Sequence, residues 1–302
     1  MNDTKPFFIL IVAIAIIILF YKWISKRKKW KDPTGLFPAK WKKILIEKIP
    51  FYNNLTLSEK DLFEYKIQEF LANVRITGIE TIIDETDKIL VAASAIVPIF
   101  AFDEWQYVNL DEVLIYPSEY NSRFETADGE GEITDENKRN ILGMVGTGYM
   151  EGKMILSKNA LHHGFRNETD KKNTAIHEFV HLIDKMDGSV DGIPELLLQK
   201  QYAIPWIDLI HKEIANIFSN KSDINPYGTT NNAEFFAVIS EYFFERPSLL
   251  KTKHPELYEM LEKIFNRKMA GKMKKRTRKI RRNDPCPCGK KEKFKNCCGK
   301  AA

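Results

Sequence analysis

His177, Glu178 and His181 form an H-E-x-x-H pattern inside Thr174 to Gly188, which reads TAIHEFVHLIDKMDG. On a helix, histidines four residues apart lie one turn apart on the same face, so both imidazoles reach a single ion. Neutral imidazole suits Zn²⁺, and a catalytic zinc takes three protein ligands and leaves its fourth position to water. Glu178 then lies close enough to that water to take its proton. The chemistry implied is metal-assisted hydrolysis. The competing reading is a surface helix that carries two unrelated histidines.

Such a site needs a third ligand, and Asn225 to Pro247 (NPYGTTNNAEFFAVISEYFFERP) offers several carboxylates. Glu234 opens a strongly apolar helix, and Glu241 and Glu245 follow on it. Asn231-Asn-Ala-Glu234 also matches a capping box, a structural use for the same glutamate. Tyr227 stands seven residues before Glu234. Asp184, three residues after His181, fits either a support for a metal-binding histidine or an acid on the helix surface. His162 and His163 point about 100° apart on a helix and cannot reproduce the geometry of the first pair. They are expected as surface or loop histidines.

Helices and short strands are expected to carry these residues. Trp41, Ile44, Leu45 and Ile49 follow helical spacing, and Thr56 to Glu59 is a capping box that opens a second helix through Leu62, Phe63, Ile67, Phe70 and Leu71. Ile76 to Ile83 and Val113 to Tyr116 read as strands. Ile89 to Phe102 is apolar throughout, and periodicity leaves it open as one buried helix or two strands. Residues 122–140 are polar and acidic, a surface loop. Ile141 to Val145 and Lys153 to Leu156 flank three glycines and suggest a hairpin, either an ordinary one or an edge that pairs with an extended peptide beside the metal.

The segment HEFVHLID at 177–184, followed by Tyr227 and AEFFA at 233–237, resembles the Mlc titration factor A family of zinc peptidases. The Tyr and Glu spacing is similar to the catalytic domain of anthrax lethal factor. IPFYNNLT and EVLIYPSEY, upstream, also look like this family, so the resemblance covers roughly residues 33–255. It implies a zincin-like α+β domain in which His177, His181 and Glu234 bind zinc, Glu178 is the general base and Tyr227 stabilises the oxyanion. It also implies peptidase activity, of aminopeptidase type in the family, and binding of a transcriptional repressor.

The two ends of the chain differ from its middle. The net charge of +5 conceals 24 basic and 38 acidic side chains in residues 32–266, a net of −14, between strongly basic termini. An acidic body disfavours nucleic acid at its own surface. Phe7 to Phe20 (FFILIVAIAIIILF) is uncharged, and residues 6–23 span about 18 residues at 1.5 Å each, close to a bilayer core. Positive charge follows that run and no A-x-A site comes after it, which favours an uncleaved anchor over a signal peptide. Lys22 to Lys31 then put the body in the cytoplasm. The main domain has no cysteine, so it has no internal disulfide and fits a reducing compartment.

Residues 267–282 carry ten Lys/Arg and no acid, a solvated run or a contact for anionic lipid or RNA. NDPCPCGKKEKFKNCCG at 283–299 places Cys286, Cys288, Cys297 and Cys298 so that four thiolates can close a structural zinc site. It resembles the SEC-C motif at the end of the SecA translocation ATPase, which implies docking to a chaperone or ribosome. The organisation expected is therefore an anchor with a basic segment (1–31), a zinc peptidase domain (32–266), a basic linker (267–282) and a zinc-binding module (283–300). The activity expected is peptide hydrolysis at a cytoplasm-facing membrane. The alternative is a regulatory binding protein that makes little catalytic use of its site.

Overall fold

In the computed structural model, residues 30–102, 104–118, 143–146, 148–166, 170–269 and 292–296 are described. The anchor segment 6–23, the loop 122–140, the four cysteines and nearly all of the basic run lie outside them. Among the described residues no helix is long and apolar enough to cross a membrane.

Among the described residues, four strands form one mixed sheet: β1 (Arg75–Gly78), β2 (Glu112–Tyr116), β3 (Gly143–Val145) and β4 (Lys153–Ser157). Their order is β1-β2-β4-β3. The first three in that order are parallel, with Arg75 opposite Glu112 and Glu112 opposite Lys153. At the far edge β3 runs antiparallel to β4, pairing Gly143 with Leu156, so the expected hairpin forms. Strand β1 is shorter than its apolar pattern suggests. It ends at Gly78, and Glu80 takes a left-handed φ of 54° as the chain turns away.

Parallel neighbours need a crossover, and the apolar segment left open by periodicity supplies it. It is one helix, α4 (Glu85–Ile99), preceded by α1 (Ala39–Lys48), α2 (Pro50–Asn53) and α3 (Leu57–Asn73). A capping box sets its start, with Asp84 and Asp87 each accepting the other's backbone N–H. Every residue from Ile89 to Ile99 is buried, as a helix that is apolar all round must be. It packs on α1, α3, α5 (Lys158–Arg166) and α6 (Thr174–Asp184). The expected capping box of α3 is also present, Thr56 with Glu59.

The remaining helices among the described residues are α7 (Ala203–Phe218), α8 (Asn232–Glu245), α9 (Pro247–Lys253) and α10 (Pro255–Ile264). Helices α6 and α8 pack against each other, and α6 also touches β3 and β4. The aromatic core under α6 is continuous, with Phe179 edge-on to both Phe70 and Tyr107. The packed body includes Trp30, which is buried, and Met269, whose N–H donates to the Tyr258 hydroxyl. Arg267 pairs with Glu59 and lies over the Phe51 and Phe100 rings, so the first residue of the basic run belongs to the body.

Candidate metal centre

Asn173 starts the helix that carries H-E-x-x-H. Its side-chain oxygen accepts from the Ile176 N–H, and the residue is fully buried. Its backbone N–H donates to Glu241 Oε2, and its side-chain amide donates to Glu245 Oε1 at 3.0 Å. The start of α6 is thus fixed by two glutamates of α8. His177 and Glu178 are both buried on this helix, and His181 is half-buried one turn on.

Helix α8 begins with Asn231, whose side chain accepts from the Glu234 N–H. That half of the expected capping box forms, while the Glu234 carboxylate turns toward the histidines. Its Oε2 lies 2.9 Å from His177 Nε2 and 3.5 Å from His181 Nε2, and the two Nε2 atoms are 3.1 Å apart. Three donor atoms at these separations match ligands about 2.0–2.2 Å from one centre, the reach of nitrogen and carboxylate oxygen on zinc. Both imidazoles aim the same nitrogen at one point beside a carboxylate, which fits a divalent cation. Among the described residues these three form the one His/Cys/Asp/Glu group close enough to hold a metal.

Glu241, a rival for the third ligand by sequence, does something else. Its Oε1 lies 2.8 Å from His177 Nδ1, on the opposite side of the ring from Glu234. His177 therefore sits between two carboxylates of α8 that are seven residues, about 10 Å, apart along the helix. A carboxylate on the far nitrogen fixes the ring and its tautomer so that Nε2 can face a metal. Glu245 is further still and is occupied with Asn173. The i, i+7 spacing of Glu234 and Glu241 was visible in the sequence, but not their division of labour.

Electrostatics follow from this placement. Burial opposes a charge on His177, but hydrogen bonds with Glu234 and Glu241 outweigh it and, without a metal, push its pKa up to about 10. Glu234 is partly desolvated, yet the two histidines hold its carboxyl well below the usual range. Burial raises Glu178, with His177 and His181 pulling the other way. Burial is thus what suits the Glu178 carboxylate to taking up a proton, against the pull of the two histidines.

Asp184 is completely buried, so it is not a surface acid. Its Oδ2 accepts from the Gly192 N–H at 2.8 Å, while the Gly192 carbonyl accepts from Trp206 Nε1 at 2.7 Å. Gly192 has φ +77°, and a Cβ there would meet the Asn232 carbonyl at 2.3 Å, so the segment after α6 lies directly on the start of α8. Burial, with Asp191 and Asp187 nearby, pushes Asp184 up to about 6. Tyr227 stands on a short 3-10 turn (Pro226–Thr229), half-exposed, with its ring 6.1 Å from the His177 ring. His162 and His163 lie on α5 and face other acids, His162 bonding Asp87 and His163 lying 3.4 Å from Asp170.

A model of the glucose-regulated metallo-peptidase M90 family matches residues 21–266. The chain is similar to an uncharacterized protein of Synechocystis, 30% identical over 263 residues that cover 85% of this chain and 94% of that protein. It is also similar to Mlc titration factor A of Pectobacterium atrosepticum, at 24% identity over 75% of this chain and 86% of the relative. Against the Escherichia coli 55989 protein of the same name the identity is 27%, over 79% and 88%.

Proposed function

Because the chain belongs to the glucose-regulated metallo-peptidase M90 family, we propose that it is a zinc peptidase acting at His177, His181 and Glu234. The observation that carries this reading is the convergence of those three donors beside buried Glu178, with Tyr227 at the rim. Zinc held there supplies Lewis acidity, which activates water and polarises a carbonyl. Glu178 accepts the proton of the attacking water and returns it to the departing amine. Tyr227 donates its phenolic hydrogen to the developing oxyanion. Glu241 and Asn173 keep His177 in place through this cycle. An extended substrate pairs with the outer edge of β3, the last strand of the sheet among the described residues.

The same proposal sets residues 6–23 in a membrane with the peptidase domain on its cytoplasmic side, on the strength of the apolar run and the basic charges after it. The four cysteines hold a second, structural zinc, and the basic and cysteine-rich tail is the segment that contacts anionic lipid, a chaperone or the ribosome. A second reading is favoured by the name of the relatives, Mlc titration factor A: the site captures a regulator rather than cutting a substrate.

Purified protein profiled on a peptide library, with and without Glu178→Gln, tests the proposal. Cleavage that chelator and the substitution both abolish is the expected result. Zinc-loaded protein with no turnover on any peptide, and a cellular phenotype untouched by Glu178→Gln, would establish the binding role instead.

A further inference from the structure

The edge strand and the proposed base meet at one residue. A Cβ built on Gly143 would lie 2.6 Å from Glu178 Cγ, 2.7 Å from its Oε1 and 2.9 Å from its Cδ. Carbon atoms in contact keep about 3.5–4.0 Å, so the Glu178 side chain occupies the volume that any other residue at 143 would fill. The overlap runs from Cγ to the carboxyl oxygen, so turning the tip alone does not relieve it.

Backbone conformation gives no reason for glycine here. Gly148 and Gly152, in the same hairpin, have left-handed φ values, whereas Gly143 does not. Gly143 sits in a paired strand position opposite Leu156, where a residue without a side chain weakens the strand. Glycine inside a strand commonly marks the close approach of another group, and the group here is a carboxyl. Glu178 also feels the charges of His177, His181 and Glu234. It is 5% exposed, so it has little solvent to move into.

We propose that Gly143 is a positioning residue for Glu178: the space left by its missing side chain seats that carboxyl between the edge strand and the metal-binding histidines. The inference rests on the preceding reading of Glu178 as the base. It makes the strand that borders the substrate cleft one wall of the base's own pocket, so strand β3 and proton transfer are coupled through one contact.

Full-length protein carrying Gly143→Ala tests this. Its crystal structure is expected to show the Glu178 carboxyl displaced by about 1 Å, with the His177, His181 and Glu234 donors where they were. Turnover should fall by about 10²-fold, while KM and zinc affinity, read with a competing chelator, change by less than about threefold. In a Glu178→Gln background the same substitution should cost no further turnover. Glu178→Ala removes Cγ, Cδ and Oε1, the atoms a Cβ at 143 would meet, so Gly143→Ala should leave stability nearly unchanged on top of it. An unmoved Glu178, or an equal loss of turnover in every background, overturns the proposal. If Gly143→Ala alone does not fold, the Gly143→Ala, Glu178→Ala double variant decides: folding supports the contact, and failure of both assigns Gly143 a role unrelated to Glu178. A wild-type protein without peptide turnover removes the peptidase reading, and the crystal structure of the variant still judges this one.

Discussion

Two histidines in this protein are each held between two carboxylates, and only one of them sits in the candidate metal centre. His177 has Glu241 at 2.8 Å on Nδ1 and Glu234 at 2.9 Å on Nε2. His254 has Glu213 at 3.2 Å on Nδ1 and Asp223 at 2.9 Å on Nε2. What differs is the company of the second carboxylate. Asp223 Oδ2 also receives Lys171 at 2.9 Å, Lys253 at 3.0 Å and the Tyr242 hydroxyl at 3.0 Å. Its acceptor capacity is taken up by ammonium groups, and the cluster ties together the start of the segment before α6, the ends of α8 and α9, and the loop after α7. Glu234 instead meets a second imidazole, His181, whose Nε2 points at the same spot as that of His177. A carboxylate met by lysines is a closed electrostatic lock. A carboxylate met by two converging imidazoles is a set of donors that a cation completes.

Changes at the two sites should therefore separate cleanly. The largest effect belongs to Glu178→Gln, which is expected to lower peptide turnover by about 10²–10⁴-fold with zinc retained, whereas Asp223→Asn leaves turnover per zinc-loaded molecule unchanged. Steady-state kinetics with metal analysis reads both. Next is stability: Asp223→Ala leaves half-buried His254 and two lysines without their shared partner and should cost about 1–2 kcal/mol in urea unfolding. Zinc affinity should not follow it. Conversely, Glu241→Gln should weaken zinc binding by about 10–100-fold in a chelator competition, because His177 loses the group that orients it, with the Asp223 cluster intact. If Asp223→Ala and Glu241→Gln weaken zinc equally, the two clusters are not independent.

The smallest effect is in pH. Burial alone would raise Asp223, but His254, Lys171, Lys253 and Tyr242 hold its carboxyl well below the usual range. A group depressed in this way stabilises the fold above its unfolded pKa, about 3.9, and loses that contribution as pH falls through the folded value. The stability gap between wild type and Asp223→Asn should close on acidification below about pH 4. The metal-free centre has the opposite sign. His177, raised to about 10, stabilises chelator-treated protein fully below its unfolded pKa, and that contribution is lost as pH rises through about 10. Acid and alkaline unfolding of chelator-treated protein should thus respond to different substitutions.

Much of the centre was legible in the chain because its parts are local. The i, i+4 histidines, the glutamate between them and the Asn231 cap depend only on helical periodicity, and each stands where that period puts it. The capping box at Thr56 and the strand at Val113 to Tyr116 were readable for the same reason. Other features were not. The stretch from Ile89 to Phe102 has no polar face, so its period carries no signal, and the Asp84–Asp87 cap before it was the better indicator of helix. Asp184 looked like either a support or a surface acid because one helix turn cannot say which side faces the segment that returns over it.

The sequence by itself determined which residue types could meet a metal and spaced two of them on one helical face. Only the tertiary structure decided between Glu234, Glu241 and Glu245, since all three lie on one helix and differ only in where that helix crosses α6. The crossing sets two carboxylates astride the His177 ring, one toward the metal position and one behind it. The contact between Gly143 and Glu178 is of the same kind. A glycine in a strand has many meanings along the chain, and it acquires one when a helix from thirty-odd residues away presses a carboxyl into the space it leaves.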